Sequence, residues 1–327
     1  MIEVALTQMQ KSDKKKGREC FSTIQAALDY LEHDPKEERK ILVHSGIYEE
    51  QVTVRISGVE ISGECEAAAP ETRITFRLGG RDLMEDGLKR GTFRTYTFFV
   101  DAAEVTLKYL TIENAAGSGT KVGQAIALYA DGDRLRVESC RLLGWQDTLF
   151  TAPLPPVEIE KNGFIGPKQH APRNHCRQYY KDCYIEGEVD FIFGGAAAYF
   201  ENCTLFSKNV DREIKGYVTA PSTPEGQRYG YVMESCRFAS DCPDRTVYLG
   251  RPWREWGKTV LLRCQIGPHI KPEGWDDWGK DKAHETAFFA EYDCTGPGAE
   301  RSRRPGWCHE LTKEEAKEYT KEAVLQG

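Results

Sequence analysis

The chain has 327 residues, with 44 lysines and arginines against 51 aspartates and glutamates, so its formal net charge is −7. This balance provides no broad basic surface, and we therefore expect no nucleic-acid partner. No run of about eighteen apolar residues occurs, and the polar, lysine-rich start from Met1 to Glu19 lacks the apolar stretch of an export signal. These features predict a soluble protein that does not bind membranes. We expect a cytoplasmic location, with secretion as the alternative if an export signal has been removed.

The first predicted element is a helix over about residues 22–32. The segment Ser22-Thr-Ile-Gln25 has the capping-box pattern that starts many helices. Apolar residues then follow at helical spacing, namely Ile24, Ala27, Leu28 and Leu31. We expect this helix to cover one end of the hydrophobic core.

Short β-rich runs follow the helix. They are separated by turn residues and include Lys40-Ile-Leu-Val43, Gln51-Val-Thr-Val54, Val59-Glu-Ile61, Phe98-Phe-Val100 and Val105-Thr-Leu107. Between these runs, no helical pattern of ten or more residues recurs. This pattern favours an all-β chain built from coils of parallel strands over alternating strands and helices.

An internal repeat supports a coiled architecture. It places cysteine at the end of a short unit in Val137-Glu-Ser-Cys140, Tyr180-Lys-Asp-Cys183, Phe200-Glu-Asn-Cys203, Met233-Glu-Ser-Cys236 and Leu261-Leu-Arg-Cys264. The segment Thr111-Ile-Glu-Asn114 is interpreted as the same unit with asparagine in the cysteine position. Such a repeat is typical of a solenoid in which cysteine is a small buried hydrophobe.

The eleven cysteines indicate neither a disulfide framework nor a metal site. Their number is odd and no Cys-x-x-Cys pair occurs, and no His or Cys residues follow the short spacing of zinc ligands. Reduced, stacked cysteines are consistent with the expected cytoplasmic location.

Two further elements complete the prediction of a single domain over residues 1–327. Five of the fifteen prolines fall between Thr151 and Gln178, which predicts a long insertion loop over about 151–178. Near the C-terminus, Thr312-Lys-Glu-Glu315 is a second capping-box pattern, and it predicts a tail helix over about 312–325 that packs along the solenoid.

Five segments carry a resemblance to a known family. They are Gly46-Ile-Tyr-Glu-Glu50, Gly123-Gln-Ala-Ile-Ala-Leu128, Trp145-Gln-Asp-Thr-Leu149, Asp190-Phe-Ile-Phe-Gly194 and Leu249-Gly-Arg-Pro-Trp253. In this order, over two hundred residues, they resemble the signature of the pectin methylesterase (pectinesterase) family. The resemblance implies a right-handed parallel β-helix with an active site in a groove on one face.

The same resemblance implies catalytic roles. Asp190 would be the nucleophile that attacks the ester carbonyl, and Arg251 would hold it ionised and oriented. Asp147 would donate a proton to departing methanol and later accept one from water. Gln124 and Gln146 match the oxyanion-stabilising glutamines of the family.

Substrate and cofactor expectations follow from the family as well. Trp253, Phe193 and Phe150 would form an apolar platform for the sugar rings. The partner would be methyl-esterified polygalacturonate or oligogalacturonides, the enzyme would act as a monomer, and no cofactor or metal is expected.

The loop accounts for a separation of 43 residues between the two aspartates, where one coil takes about twenty. We expect it to leave and re-enter the groove face and to narrow or lengthen the cleft. Deletion of Leu154 to Pro172 should then alter chain-length preference.

Other classes remain as alternatives. A pectin lyase would need a calcium-binding acid cluster and a basic residue, and a polygalacturonase would need a compact group of aspartates. A non-catalytic carbohydrate-binding solenoid would have no need of the aspartates, glutamines and arginine of these motifs. A conventional serine esterase is disfavoured because Gly-x-Ser-x-Gly does not occur.

Overall fold

A computed structural model of the chain describes residues 1–6, 19–34 and 37–326. Its strands form three sheets, which we name A, B and C. Sheet A contains, in stacking order, β2 (Cys20–Phe21), β1 (Ile2–Val4), β3 (Lys40–Val43), β6 (Glu60–Gly63), β9 (Thr106–Lys108), β12 (Leu135–Glu138), β15 (Arg177–Lys181), β18 (Ala197–Glu201), β21 (Tyr231–Glu234), β24 (Lys258–Leu262), β26 (Phe288–Tyr292) and β27 (His309–Glu310).

Sheets B and C complete each coil. Sheet B contains β4 (Gly46–Glu49), β7 (Thr72–Phe76), β10 (Thr111–Asn114), β13 (Arg141–Leu143), β16 (Tyr184–Gly187), β19 (Thr204–Ser207), β22 (Arg237–Ser240) and β25 (Gln265–Ile266). Sheet C contains β5 (Val52–Val54), β8 (Phe98–Val100), β11 (Leu128–Ala130), β14 (Leu149–Thr151), β17 (Val189–Gly194), β20 (Gly216–Pro221) and β23 (Val247–Gly250).

Each coil passes through sheets A, B and C in that order, and stacked strands pair in parallel. Side chains such as Leu107, Ile112, Leu128 and Val137 point into the centre and are fully buried. The core is therefore a continuous column rather than a single cluster. This architecture confirms the predicted parallel β-helix.

A ladder of cysteines runs along the turn between sheets A and B. It comprises Cys140, Cys183, Cys203, Cys236, Cys264 and Cys294, one more than the repeat in the sequence had indicated. The residue before each cysteine has a positive φ, as at Ser139 (48°) and Asn202 (53°), which turns the chain sharply. Five of the six thiols donate to carbonyls of the preceding coil, as from Cys264 to Met233 O at 3.2 Å.

The assignment of Asn114 to the cysteine position is wrong. The residue that precedes Cys140 in the ladder is Leu110, whose carbonyl accepts from Arg141 N at 2.8 Å just as the Cys140 carbonyl accepts from Tyr184 N. Asn114 instead ends β10 and donates its amide hydrogens to the Thr95 and Ile126 carbonyls at 2.8 and 3.1 Å. Two internal amide contacts explain its burial better than a ladder position does.

The predicted N-terminal helix is present as α1 (Ile24–His33), and its four apolar residues are buried against the first coil. The predicted capping box of Ser22 and Gln25 is wrong, however. Thr23, not Ser22, caps the helix by accepting from Ala26 N. Gln25 instead exchanges hydrogen bonds with the backbone of Thr53 in β5, because covering the open end of the core requires polar contacts with strand edges.

The C-terminal tail packs on the outer face of sheet A, as expected, with Leu311, Ala316 and Val324 buried there. Its capping box at Thr312 and Glu315 is confirmed. The prediction of a single helix over 312–325 is wrong. Thr320 has an extended ψ of 157° and separates α4 (Lys313–Ala316) and a following 3-10 turn from α5 (Lys321–Gln326).

The predicted loop is confirmed as an excursion without strands or helices between β14 and β15. Two short helices, α2 (Gly119–Val122) and α3 (Ala283–Thr286), lie in other connections. Most of the lysine-rich start, residues 7–18, lies outside the described residues. Within the described part, none of the helices has the length and apolarity required to cross a membrane.

Candidate active site

The two aspartates of the predicted site occupy equivalent positions in neighbouring coils. Strands β14 and β17 pair with Leu149 opposite Ile192, and Asp147 N donates to Val189 O at 3.1 Å. Neighbouring strands lie about 4.8 Å apart, so the aspartates meet although 43 residues separate them in sequence. The loop leaves and returns within this single coil.

Both aspartates have an unusual backbone conformation. Asp147 has φ 65° and Asp190 has φ 51°, values that few side chains other than asparagine and aspartate adopt readily. Asp190 also lies at a register shift between Val189 and Ile192, where β17 bulges against β20. Bulges redirect side chains near functional sites, and here the carboxyls face a groove while only 7% of each residue is exposed.

Arg251 forms the bidentate contact expected of it. Its Nε lies 2.9 Å from Asp190 Oδ1 and its Nη2 lies 2.7 Å from Asp190 Oδ2. Two aromatic rings hold the guanidinium, since its Cζ lies 3.8 Å from the ring centroid of Tyr217 and 3.6 Å from that of Trp278. These contacts fix the plane of the Asp190 carboxylate.

The surroundings separate the protonation behaviour of the two carboxyls. Burial, and then the neighbouring Asp190 charge, raise the pKa of Asp147 well above its usual value. Burial also raises the pKa of Asp190, but the Arg251 cation and its hydrogen bonds oppose that shift directly. When two carboxyls share one site, the partner without the arginine keeps its proton. We therefore assign the neutral state to Asp147 and the charged state to Asp190.

Gln124 and Gln146 line the same groove. Gln146 directly precedes Asp147, and Gln124 lies one coil earlier, where Ala125 N donates to the Gln146 carbonyl. The buried carboxylate of Glu188, which the sequence analysis did not single out, supports the side of the groove that contains Gln146. Glu188 accepts hydrogen bonds from Gly119 N at 2.7 Å and from Ser118 Oγ at 3.1 Å, and so holds the start of α2 beside Gln146. The signal in the sequence was a glutamate directly before a buried strand, two residues from Asp190.

Gly119 is tightly packed, so a substitution there tests whether Glu188 and α2 hold Gln146 in position. A Cβ at that position would lie 2.4 Å from Gln146 Oε1 and 2.6 Å from Glu188 Oε1. We expect Gly119→Ala to lower the free energy of unfolding by about 1–3 kcal/mol through overpacking. We expect it also to displace Gln146 and so to lower kcat about tenfold or more. Steady-state kinetics together with thermal unfolding measure the effect.

Gly306→Ala is the matched control, because a Cβ there would meet nothing within 4 Å. An unchanged kcat in the Gly119 variant would show that the position of Gln146 does not matter.

The groove has a volume of about 450 Å³ and an aromatic wall. Trp253 and Phe193 line it as expected, and their ring centroids lie 5.6 Å apart. Phe93, Phe164 and Trp278 also line it but were missed, because single aromatic residues in loops carry no pattern that places them.

The expectation that Phe150 contacts sugar is not supported. Its side chain is fully buried behind the wall, with its ring centroid 5.0 Å from those of Phe93 and Phe193. Phe150 pairs in register with Phe193 and therefore lies on the same face of sheet C, but the rings of Phe93 and Tyr129 cover it. Phe150 therefore supports the aromatic wall from behind.

The loop contributes Ile159, Glu160, Gly163 and Phe164 to the lining of the groove. It is tied to the solenoid by Lys168, whose Nζ lies 2.6 Å from Asp101 Oδ1. Arg173 braces it internally by donating to the carbonyls of Lys168 and Ala171. Among the described residues no group of three or more His, Cys, Asp and Glu side chains is arranged to hold a metal ion.

The stacked sheets and the buried aspartate pair define a parallel β-helix protein with a two-carboxylate site in its groove. A sequence model of the pectinesterase family matches residues 12–154 and 169–327. The chain therefore belongs to the pectinesterase family. It is 36% identical to Pectinesterase 31 of Arabidopsis thaliana over 227 residues, which cover 69% of this chain and 62% of that relative, so the match spans less than two thirds of the relative's length.

Solved structures show the same architecture. The pectin methylesterase from carrot matches all of this chain and 92% of its own, with a TM-score of 0.78 and 26% identity. A pectin methylesterase in complex with a hexasaccharide matches 99% of this chain and 96% of its own, with a TM-score of 0.76 and 28% identity. These likenesses confirm the right-handed parallel β-helix. Residues 155–168, which the family model leaves out, lie in the loop that forms one wall of the groove.

Proposed function

We propose that the protein is a carboxylic ester hydrolase that removes methyl groups from galacturonate polymers or oligomers and releases methanol. The observation that carries this proposal is the pair Asp147 and Asp190, one coil apart in a groove, with Arg251 bonded to Asp190 alone. Membership of the pectinesterase family supports the choice of substrate. The hexasaccharide bound to a similar protein supports an extended sugar ligand.

In the proposed first step, a carboxylate oxygen of Asp190 attacks the carbonyl carbon of the ester. The carbonyl oxygen becomes negative, and the side-chain amides of Gln124 and Gln146 stabilise it by hydrogen bonds. Asp147, which holds a proton, donates it to the methoxy oxygen as the carbon–oxygen bond breaks. Methanol leaves, and the galacturonate carbonyl stays bonded to Asp190.

In the second step, water attacks the same carbonyl carbon. Asp147, now ionised, accepts a proton from that water and returns to its neutral state. The bond to Asp190 breaks, its carboxylate is restored, and Arg251 again neutralises the charge. Because burial and Asp190 both favour neutral Asp147, each turnover ends with the site ready for the next ester.

A product assay tests the proposed reaction against its alternatives. Incubation with methyl-esterified polygalacturonate should release methanol and free carboxylate in equal amounts, without new reducing ends and without unsaturated sugars. New reducing ends would indicate a polygalacturonase, and unsaturated products a lyase. Binding without any product would favour a carbohydrate-binding solenoid.

We propose that the loop sets how much sugar the groove holds. Ile159 lines the groove from the loop but is 74% exposed, so its side chain is available to a sugar face. We expect Ile159→Ser to raise KM for long oligomers about three- to tenfold, because the buried apolar contact is worth about 1 kcal/mol. Initial rates on a series of methylated oligomers measure this change.

Ile47→Ser on β4 is the control, since Ile47 is 57% exposed and does not line the groove. Equal KM values for Ile159→Ser and the unmodified protein at every chain length would refute a role of the loop in substrate binding.

A cytoplasmic location and a monomeric state complete the proposal. All eleven cysteines are free, which is typical of proteins in reducing compartments. Every residue with a proposed role comes from one chain, so the site needs no second copy. Cell fractionation and size-exclusion chromatography test these two points.

A further inference from the structure

A second cavity, which we name the sheet A cavity, lies on the outer face of sheet A beside the tail. Its volume is about 430 Å³, close to that of the groove. Its aromatic and cationic lining includes Arg228, Trp256, Lys258, Phe288, His309 and Tyr319. None of the residues with a role in the proposed reaction lines it, so the cavity is available to a different ligand or to a distant part of the same substrate.

Lys258 gives the sheet A cavity a positive charge that no protein carboxylate neutralises. Its Nζ donates to the carbonyls of Gln227 and Arg228 at 2.7 and 3.3 Å, and among the residues that the structure describes it has no acidic partner. Burial lowers the pKa of Lys258. An ammonium carries three N–H donors, so one donor remains for a ligand. Partial removal from water without a counter-ion is costly, and an anion in the cavity would offset that cost.

The other charged groups of the sheet A cavity are paired or screened. Arg228 pairs with Glu318 at 2.7 Å, and His284 lies 2.9 Å from Asp277. Glu285 is exposed, so water and salt screen its charge. The unpaired lysine is therefore the charge that an anionic ligand would meet.

Aromatic rings supply apolar surfaces beside this lysine. Five of the six tryptophans contact an aromatic ring or a cation, but Trp256 has no such contact in the described part of the chain. Its half-buried indole lines the cavity instead. Phe288 adds a second ring, stacked on His309 with 4.7 Å between the ring centroids. Flat apolar surfaces of this kind suit the apolar faces of sugar rings.

A short segment of chain joins the sheet A cavity to the groove. Arg254 lines the groove, and Trp256 lines the cavity. Two residues of chain span at most about 8 Å, so the two sites are neighbours around one corner of the solenoid. A polymer that leaves the groove past Arg254 can therefore reach the cavity of the same molecule.

We propose that the sheet A cavity is a second binding site for the polymer. In it, Lys258 binds the free carboxylate of a galacturonate residue that lies outside the groove, and Trp256 stacks on the sugar ring. This site rests on the proposed ester hydrolase function, which supplies the acidic polymer as its ligand. It holds long, partly de-esterified chains while their remaining esters are hydrolysed in the groove, and so it favours polymers over short oligomers.

Kinetics on two substrates of different length test this site. One is a long, partly esterified polygalacturonate, and the other is a methylated trimer that is chosen to fill the groove alone. The readout is the ratio of kcat/KM for the polymer to kcat/KM for the trimer. We expect Lys258→Met and Trp256→Ser each to lower this ratio about three- to tenfold, because a charged hydrogen bond or a ring contact to the polymer is lost. Lys258→Arg keeps the charge and should retain the ratio.

Lys108→Met is the matched control. Lys108 also lies on sheet A, but it pairs with Glu60 at 3.0 Å and does not line the cavity. Thermal unfolding shows whether each variant is folded. An unchanged ratio in Lys258→Met or in Trp256→Ser, or equal losses on both substrates, would overturn the second site.

A binding measurement separates this site from the proposed reaction. Asp190→Asn is applied to immobilised, fully de-esterified polygalacturonate with an excess of fully methylated trimer, which occupies the groove but offers no carboxylate to Lys258. Retention should persist, and it should be lost when Lys258→Met is added to that variant. Equal retention of the two variants, or none by Asp190→Asn alone, would overturn the second site. Absence of methanol release by the unmodified protein from both kinetic substrates would instead overturn the ester hydrolase function.

Discussion

Replacement of Asp190 by asparagine is expected to lower kcat for methyl-ester hydrolysis by about 10⁴-fold or more, the scale seen when a nucleophile is removed. The amide has no charged oxygen to attack the ester carbonyl. It also leaves Arg251 without its two carboxylate contacts. Methanol release under saturating substrate measures the loss, and circular dichroism shows whether the fold is intact.

Asp133→Asn is the matched control for this variant. Asp133 also contacts an arginine through both oxygens, since it accepts from Arg177 Nε and Nη2 at 2.9 and 2.5 Å, but it does not line the groove. Its activity should stay within about twofold of the unmodified protein. Activity of Asp190→Asn within tenfold of normal would exclude Asp190 as the nucleophile.

Replacement of Arg251 by methionine is expected to have the second largest effect. Arg251 opposes the increase in pKa that burial imposes on Asp190, so its removal should raise that pKa further. A smaller fraction of Asp190 is then ionised at a given pH. We expect kcat to fall about 10²-fold or more at neutral pH, and the acid limb of the pH–rate profile to move to higher pH.

The same variant should be less stable by about 3–5 kcal/mol at neutral pH, because a buried carboxylate loses its partner. A carboxyl whose pKa is higher in the folded than in the unfolded state favours folding at low pH. The destabilisation should therefore grow as pH rises through the shifted pKa. Arg251→Lys keeps a charge without the planar fork and should lie between the two proteins. An unmoved acid limb in Arg251→Met would show that Asp190 does not depend on this arginine.

The sequence predicted those parts of the fold that repeat. Parallel coils place equivalent residues at strand spacing, so the cysteine units near 140, 183, 203, 236 and 264 were visible as a pattern. The wrong predictions lie where a local sequence preference competes with a tertiary contact. Gln25 fits a capping box, but the open edge of β5 requires its amide more than the helix start does.

The tail shows the same competition. Residues 312–325 have helical spacing, but the segment must follow a flat sheet and bury Ala316 and Val324 on it. A break at Thr320 lets Ala316 of α4 and Val324 of α5 both pack on that surface. The helical periodicity predicts the buried residues correctly, but it does not predict the change in chain direction at Thr320.

Site residues within motifs were predictable and those in loops were not. Asp147 and Asp190 came from segments with a resemblance to the family, and the solenoid brings them together as expected. Glu188 and Trp278 were not predicted, because their contacts with Gly119 and Arg251 form between coils and no sequence spacing encodes them. Phe150 shows the reverse limit, because its motif position does not reveal that the ring of Phe93, from a loop, covers it.

A structure of the Asp190→Asn variant bound to a methyl-esterified galacturonate oligomer tests the central claim most directly. We predict an ester carbonyl carbon within about 3–3.5 Å of the residue 190 side chain. Its carbonyl oxygen should face Gln124 and Gln146, and its methoxy oxygen should face Asp147. An oligomer bound elsewhere, or with its ester turned away from the two acidic positions, would contradict the proposed chemistry.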